Sequence, residues 1–411
     1  MKNSKYYPWL VVALLWIVAL LNYMDRQMLA TMRPSMENDI PELVSGENFG
    51  RLMAVFLWIY ALMSPVSGII ADKLNRKWLI IGSLFVWSAV TYAMGYAKTY
   101  DEIYWLRAIM GVSEALYIPA GLSLIADYHQ QKTRSLAIGI HMTGLYVGSA
   151  LGGFGATIAA RYSWHSTFHH FGIIGVVYSI ILVFFLYEKK TKVFDPEFNK
   201  THEKAPLLKG LALLFTNISF WVILFYFAII SLPGWATKNW LPTLFSDNLG
   251  ISMDQAGPLA TITISFSSLL GVVFGGILSD KWVQKNIKGR IYTSAIGLSL
   301  TIPALLLIGF GHSLFHVVGA VLCFGIGYGM FDANNMPIIC QFVSSKYRAT
   351  AYGILNMTGV GCGALVTSML GKSADAGNLG YGFSLMAGIV LIALITQVSF
   401  LRPKVNDFEE V

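Results

Sequence analysis

Twelve apolar runs, each long enough to cross a bilayer as a helix, constrain this chain more than any other feature. They fall near 9–32, 49–72, 78–97, 102–126, 134–160, 167–187, 218–245, 256–280, 290–311, 315–341, 349–371 and 381–402. About 20 apolar residues suffice to cross about 30 Å of hydrocarbon. Inside that layer no water satisfies backbone N–H and C=O groups, so each run must close its hydrogen bonds as a helix. A soluble chain would show short amphipathic stripes between polar loops. Only 12% of the 411 residues are charged, against about 25% in soluble domains. The expected fold is an all-α membrane protein. The first run follows Lys2 and Lys5 like a signal peptide. It continues through Asn22-Tyr23-Met24-Asp25-Arg26 with no small-residue cleavage site, which predicts a retained helix.

The net charge of +7 would suit nucleic acid in a soluble protein. Here its distribution speaks for topology. With the N-terminus inside, inner segments carry 21 of the 29 Lys and Arg, outer loops carry five (Arg33, Arg51, Lys98, Arg161, Lys372), and Arg26, Arg107 and Lys238 fall within spans. That asymmetry is the one the positive-inside rule requires. A multi-pass protein of the cell inner membrane is expected, with cytoplasmic N- and C-termini, the lipid bilayer as its surroundings and no nucleic-acid partner. Cys323, Cys340 and Cys362 lie in or beside apolar runs and give neither a disulfide framework nor metal spacing.

The chain repeats itself. Gly68-Ile-Ile-Ala-Asp72-Lys73 returns as Gly276-Ile-Leu-Ser-Asp280-Lys281, 208 positions later. Arg134 and Arg348, 214 apart, each open a span that leads to Met-Thr-Gly, at Met142 and Met357. Two matches at nearly one offset predict two pseudo-symmetric six-helix bundles in the same orientation. The boundaries expected are 1–187 for the N-terminal bundle, 188–217 for a polar cytoplasmic linker rich in Lys and Glu, and 218–411 for the C-terminal bundle.

The loop Gly68-Ile-Ile-Ala-Asp72-Lys73-Leu-Asn-Arg76-Lys77 resembles the signature of the major facilitator superfamily, and the likeness covers nearly the whole chain. The resemblance implies the twelve-helix fold of those transporters. In the loop, Gly68 is expected to permit close helix approach. Asp72 is expected to pair with a helix end or with Arg76 and Lys77, as a gating latch between halves.

Ionisable groups at membrane depth cost about 2.5–3.5 kcal/mol each on insertion scales, so they usually face a cavity and work there. Span one holds Asp25 and Arg26. Span four holds Arg107 and Glu114, two helical turns apart and therefore on one face. Two acids and two bases sum to zero formal charge, a pattern in which substrate anion and proton compete for one arginine. Asn22-Tyr23-Met24-Asp25-Arg26 with Arg107-x6-Glu114 resembles the anion:cation symporter family, which includes hexuronate, galactonate and sialic acid carriers and sialin. Spinster lipid carriers share the charged pattern. Where that symporter family usually has Gly-Trp-Arg, this chain has Ser163-Trp164-His165. The resemblance implies that Asp25 and Glu114 carry the proton and that Arg26 holds the substrate carboxylate. Arg26 suits that role, since its planar fork matches a carboxylate.

Further substrate-binding positions are expected at Tyr23, Tyr60, Arg107 and Tyr117. His141 and Asn356, each just before a Met-Thr-Gly, should face the pore as repeat equivalents. Asn334 and Asn335 in span ten offer amides that can donate to and accept from sugar hydroxyls. Asp332 and Lys238 are left without a role. These readings combine into a proton-coupled symporter importing a small organic anion, an acidic sugar such as sialic acid, hexuronate or aldonate, by alternating access. The alternatives are an organophosphate:phosphate antiporter, for which Lys238 would join Arg26, and a Spinster-like lipid exporter. No catalytic constellation, cofactor motif or metal spacing appears, and a monomer is expected.

Overall fold

Each apolar run becomes a helix, and each helix finds its neighbours through small residues. The computed structural model of the protein describes residues 6–129, 131–188, 212, 214–343 and 347–403, without the side chains of residues 72, 131, 132, 135 and 349. The expected linker, 188–217, lies almost wholly outside the described residues. Among the described residues, twelve helical spans are long and apolar enough to cross a membrane: Tyr7–Met36, Gly46–Ala71, Arg76–Met94, Tyr100–Tyr128, Leu136–Arg161, Trp164–Phe185, Ile218–Leu249, Met253–Val283, Gly289–Phe310, Leu314–Phe342, Thr350–Asp375 and Leu379–Phe400. They are numbered one to twelve below.

Local sequence sets where several of these helices begin. Ser45, Asn75, Ser163 and Asn217 accept hydrogen bonds from backbone N–H groups of the first turns they precede. Thr99 and Glu102 form a reciprocal capping box at the start of span four. Many helices run a few residues past the apolar runs, because their polar ends keep the helix after leaving hydrocarbon.

Three spans break inside the bundle. Span four is interrupted at Leu116, and span ten at Ala333 and Asn334. Pro119 and Pro337 explain both breaks. Neither has the N–H that would bond the carbonyl four residues earlier. Span five tightens at Gly153 and Phe154, whose N–H groups bond the carbonyls of Ala150 and Leu151, only three residues back.

Span one lies on span five along a stripe of glycines one turn apart. A Cβ at Gly144 would stand 2.7 Å from the Trp16 carbonyl, at Gly148 2.1 Å from that of Leu20, and at Gly152 2.7 Å from that of Met24. Without a hydrophobic drive between helices in lipid, such close backbone contact is what holds them. In the C-terminal half, Gly359 and Gly363 of span eleven meet Phe227, Ser231 and Trp235 of span seven. The two halves therefore place glycines at matching positions, against backbone carbonyls in the N-terminal half and against side chains in the C-terminal half.

Contacts between the halves cluster at the end of the bundle opposite the termini. Asp375, closing span eleven, accepts from Ser45 Oγ at 3.0 Å and from the Glu47 N–H at 2.9 Å, at the start of span two. Gly46 and Gly371 bring these two backbones together, and Lys372 reaches Glu47 at 3.5 Å. Gly153 of span five packs on Gly257 of span eight, and Thr261 donates to the Ala150 carbonyl at 3.0 Å.

Gly148→Leu is expected to destabilise the protein strongly, since no rotamer removes the clash of its Cβ with the Leu20 carbonyl. A thermal unfolding curve in detergent should show a loss of more than about 3 kcal/mol, the upper range for overpacking. Gly139→Leu, where a Cβ meets open space, should unfold at the parent temperature.

Candidate functional site

One turn of span one directs its side chains to three neighbours. Asn22 and Arg26, four residues apart, share the face toward span four. Glu114 there is wholly buried. Its Oε2 accepts from Arg26 Nε at 2.6 Å and from Asn22 Nδ2 at 3.0 Å. Among the described residues, its Oε1 has no hydrogen-bond partner, and neither has Arg26 Nη2. The Arg26 guanidinium lies 4.9, 4.9 and 4.6 Å from the ring centroids of Tyr23, Phe56 and Tyr60. A largely enclosed cation held by one carboxylate oxygen and three aromatic faces is strongly placed. Each such face contributes about 0.5–2 kcal/mol, more as water is excluded.

Asp25 points away from that pair. It is buried, and the Thr91 hydroxyl of span three approaches its Oδ2 at 3.4 Å. Arg107 is also buried. Its guanidinium lies 4.5 Å from the Phe56 ring centroid and donates from Nη1 to Met110 Sδ at 3.2 Å, while Nε has no partner among the described residues. So Phe56 separates two arginines, and of these Arg26 alone touches Glu114. The shared helical face of Arg107 and Glu114 does not become a direct ion pair.

Two predicted positions lie inside the N-terminal half, away from the space between halves. Tyr117 donates its hydroxyl to the Leu15 carbonyl at 2.7 Å, and its ring meets that of His141 edge-on, with centroids 5.9 Å apart. His141 is wholly buried there. Its repeat equivalent does otherwise: Asn356 donates to Ser64 Oγ across the halves at 2.6 Å. The expected symmetric pair of pore residues is therefore not brought together. The cause is packing, since span five presses on span one more closely than span eleven does on span seven.

In span ten, Asn334 is buried and bonds the Met330 carbonyl at 2.8 Å, tying off the helix break. Asn335 donates to Asp332 Oδ1 at 3.1 Å. Lys238 of span seven lies over Trp235 at 4.7 Å and over Tyr23 at 5.7 Å. Its backbone carbonyl accepts from Gln27 Nε2 of the other half at 2.7 Å.

The loop expected to latch the halves is tied to its own half. Arg76 pairs with Asp127, and its N–H bonds Glu188 Oε1 at 3.0 Å. Lys77 donates to the Val183 carbonyl at 2.7 Å. Gly68 has open space where a Cβ would sit, so the close approach expected there is not found. The Asp72 side chain lies outside the described residues.

Asn22, Phe56, Gln27 and Ser64 were not among the predicted site residues. Asn22 carried a signal, one turn before Arg26 on the same face. Phe56 carried none, as one of 25 phenylalanines.

The Major Facilitator Superfamily profile matches residues 15–367, with a second match over 248–408. A hexuronate transporter of Bacillus subtilis is 23% identical over 411 residues, covering 96% of this chain and 94% of that protein. A 4-hydroxybenzoate transporter of Acinetobacter baylyi is 24% identical over 426 residues, covering 94% and 88%. Among solved structures, a bacterial homologue of the human lysosomal transporter Spinster, inward-facing and unoccupied, superposes with a TM-score of 0.81 at 19% identity, over 96% of this chain and 97% of that one. The chain thus belongs to the Major Facilitator Superfamily and is a multi-pass membrane transporter.

Proposed function

We propose that the protein is a proton-coupled symporter that imports an organic anion, an acidic sugar such as sialic acid, hexuronate or aldonate, by alternating access. It works in a bacterial inner membrane with both termini in the cytoplasm. The observation that carries this reading is the Arg26–Glu114 pair, in which, among the described residues, Glu114 Oε1 and Arg26 Nη2 have no hydrogen-bond partner.

The chemistry follows from the cost of a lone buried charge. Arg26 binds either Glu114 or the carboxylate of a solute. When the solute takes Arg26, Glu114 is left without its cation. An unpaired buried carboxylate costs several kcal/mol, so it takes up a proton and becomes neutral. Its unbonded Oε1 is where that proton would sit. The solute carboxylate and the proton then travel together, with no net charge added to the site. Asp25 is the second candidate for a proton. Tyr23, Tyr60 and Arg107 complete the anion's surroundings, and Asn335 and Asn356 are amides for its hydroxyls. The relatives carry hexuronate and 4-hydroxybenzoate, and a carboxylate is what those two solutes share.

A second reading, organophosphate:phosphate exchange, has one observation in its favour. Arg26 and Lys238 both lie over the Tyr23 ring, so two cations could clamp one dianion. Asp25 and Glu114 weigh against it, because they repel a dianion unless protonated. A lipid exporter would want a more apolar cavity than Asn335, Asn356, Asp332 and Lys238 provide. Uptake into proteoliposomes under an imposed pH gradient separates these readings. An acidic sugar should accumulate, and phosphate or lipid substrates should not.

Arg26→Lys should keep the fold and lose at least about tenfold in affinity for the acidic sugar, since lysine keeps the charge but not the planar fork. Binding and melting curves on the same preparation check this. Unchanged affinity would remove Arg26 from the site.

Glu114→Gln should separate exchange from accumulation. The amide stands in for the protonated acid. Labelled solute should still exchange between the two sides of a vesicle, but a pH gradient should no longer concentrate it. Accumulation at the parental level would place the coupling proton elsewhere.

A further inference from the structure

The charged turn of span one has a counterpart in span seven. Tyr23-Met24-Asp25-Arg26 and Trp235-Ala236-Thr237-Lys238 share an aromatic and a cation three residues apart, 212 positions along the chain. In both, the cation lies over its own aromatic, at 4.9 Å for Arg26 and 4.7 Å for Lys238. The acidic turn of span four likewise returns in span ten. Gly111-Val-Ser-Glu114-Ala115, with Pro119, matches Gly329-Met-Phe-Asp332-Ala333, with Pro337, at an offset of 218. Each glycine backs onto a carbonyl of the neighbouring helix, that of Phe56 in span two or Ser268 in span eight. Each helix breaks just after its acid. Lys238 and Asp332 therefore repeat Arg26 and Glu114.

The two pairs differ in one respect. Glu114 is wholly buried and bonded to Arg26, whereas Asp332 is exposed and, among the described residues, has no direct ion pair. Lys238 is its neighbouring cation, attracted across a gap. Asn335 Nδ2 donates to the Asp332 carboxylate at 3.1 Å, and Tyr146 of span five is a further neighbour of that carboxylate. The other titratable groups facing it are Tyr23, Tyr328 and Tyr352. Neighbours from spans one, five, seven and eleven surround it, so its exposure is to the space between halves and not to lipid.

We propose that Lys238 and Asp332 form a second anion–proton exchange site, which binds a second acidic group of the solute. This rests on the proposed function and points, among acidic sugars, to those with an acid at each end. The second carboxylate of the solute takes the Lys238 ammonium, and Asp332 takes a proton from water. With the bound carboxylate counted, the site is neutral before and after. Because Arg26 and Lys238 lie over one ring, that of Tyr23, a single small solute reaches both.

The test compares glucarate with gluconate, a dicarboxylate and a monocarboxylate on one carbon chain, by calorimetry on the purified full-length protein. The parent should bind glucarate at least about tenfold more tightly, the equivalent of one added charge-assisted contact. Lys238→Gln should abolish that preference, weakening glucarate at least about tenfold more than gluconate, since the first carboxylate still has Arg26. Equal binding of the two acids by the parent, or a preference that survives Lys238→Gln, overturns the proposal. If neither acid binds, the acidic-sugar reading fails and an infrared titration of the ligand-free protein decides the second site instead. Asp332→Asn should remove a protonatable carboxyl band that Asp332→Glu restores. An unchanged spectrum overturns the proposal, and matching melting curves exclude misfolding as the cause of any loss.

Discussion

A carboxylate and a guanidinium joined at membrane depth, Glu114 and Arg26, are the interaction on which the rest of this structure turns. Neither charge is tolerable alone. Removing one partner of a buried pair costs about 3–5 kcal/mol, because the other is left uncompensated. The fold surrounds the pair accordingly. Asn22 adds a donor on the same carboxylate oxygen, and Tyr23, Phe56 and Tyr60 cover the guanidinium. Close packing of span one on the glycines of span five sets the position of the helix that carries Arg26.

The same constraint gives the site its chemistry. A pair that is whole only when both charges are present can be opened by a competitor for either one. An anion competes for Arg26, and a proton competes for Glu114. In the proposed cycle the two must arrive together, since either alone leaves a buried charge unmatched. The halves meet at the end away from the termini through Ser45, Gly46, Asp375 and Gly371, so a change of access has to part those helices. Gln27 and Asn356 also cross between halves, beside the charges and at the Ser64 hydroxyl.

Much of the fold was legible in the sequence, for a simple reason. Hydrocarbon imposes one length and one backbone geometry on every span, so apolar runs map directly onto helices. The breaks at Leu116 and Asn334 were missed, although Pro119 and Pro337 announced them, because an apolar window does not register a missing N–H. The charges of the site were legible because ionisable groups stand out in apolar runs. Their partners were less so. Helical spacing put Arg107 and Glu114 on one face, but which arginine reaches the carboxylate depends on how span one tilts toward span four. His141 and Asn356 were equated by sequence, and tertiary packing buried one and left the other at the interface. Phe56 had no polar mark to distinguish it. Interhelical contacts of this kind depend on rotation about helix axes, which a single sequence specifies only weakly.

In the proposed cycle, anion binding and proton uptake are one event at Arg26 and Glu114. The direct measurement is the number of protons taken from solution when an acidic sugar binds to the purified protein, read with a pH-sensitive dye in weakly buffered detergent near neutral pH. At least one proton should be taken up for each solute bound. Saturable binding with no proton uptake would contradict that cycle, because the solute would then occupy the site without separating the pair.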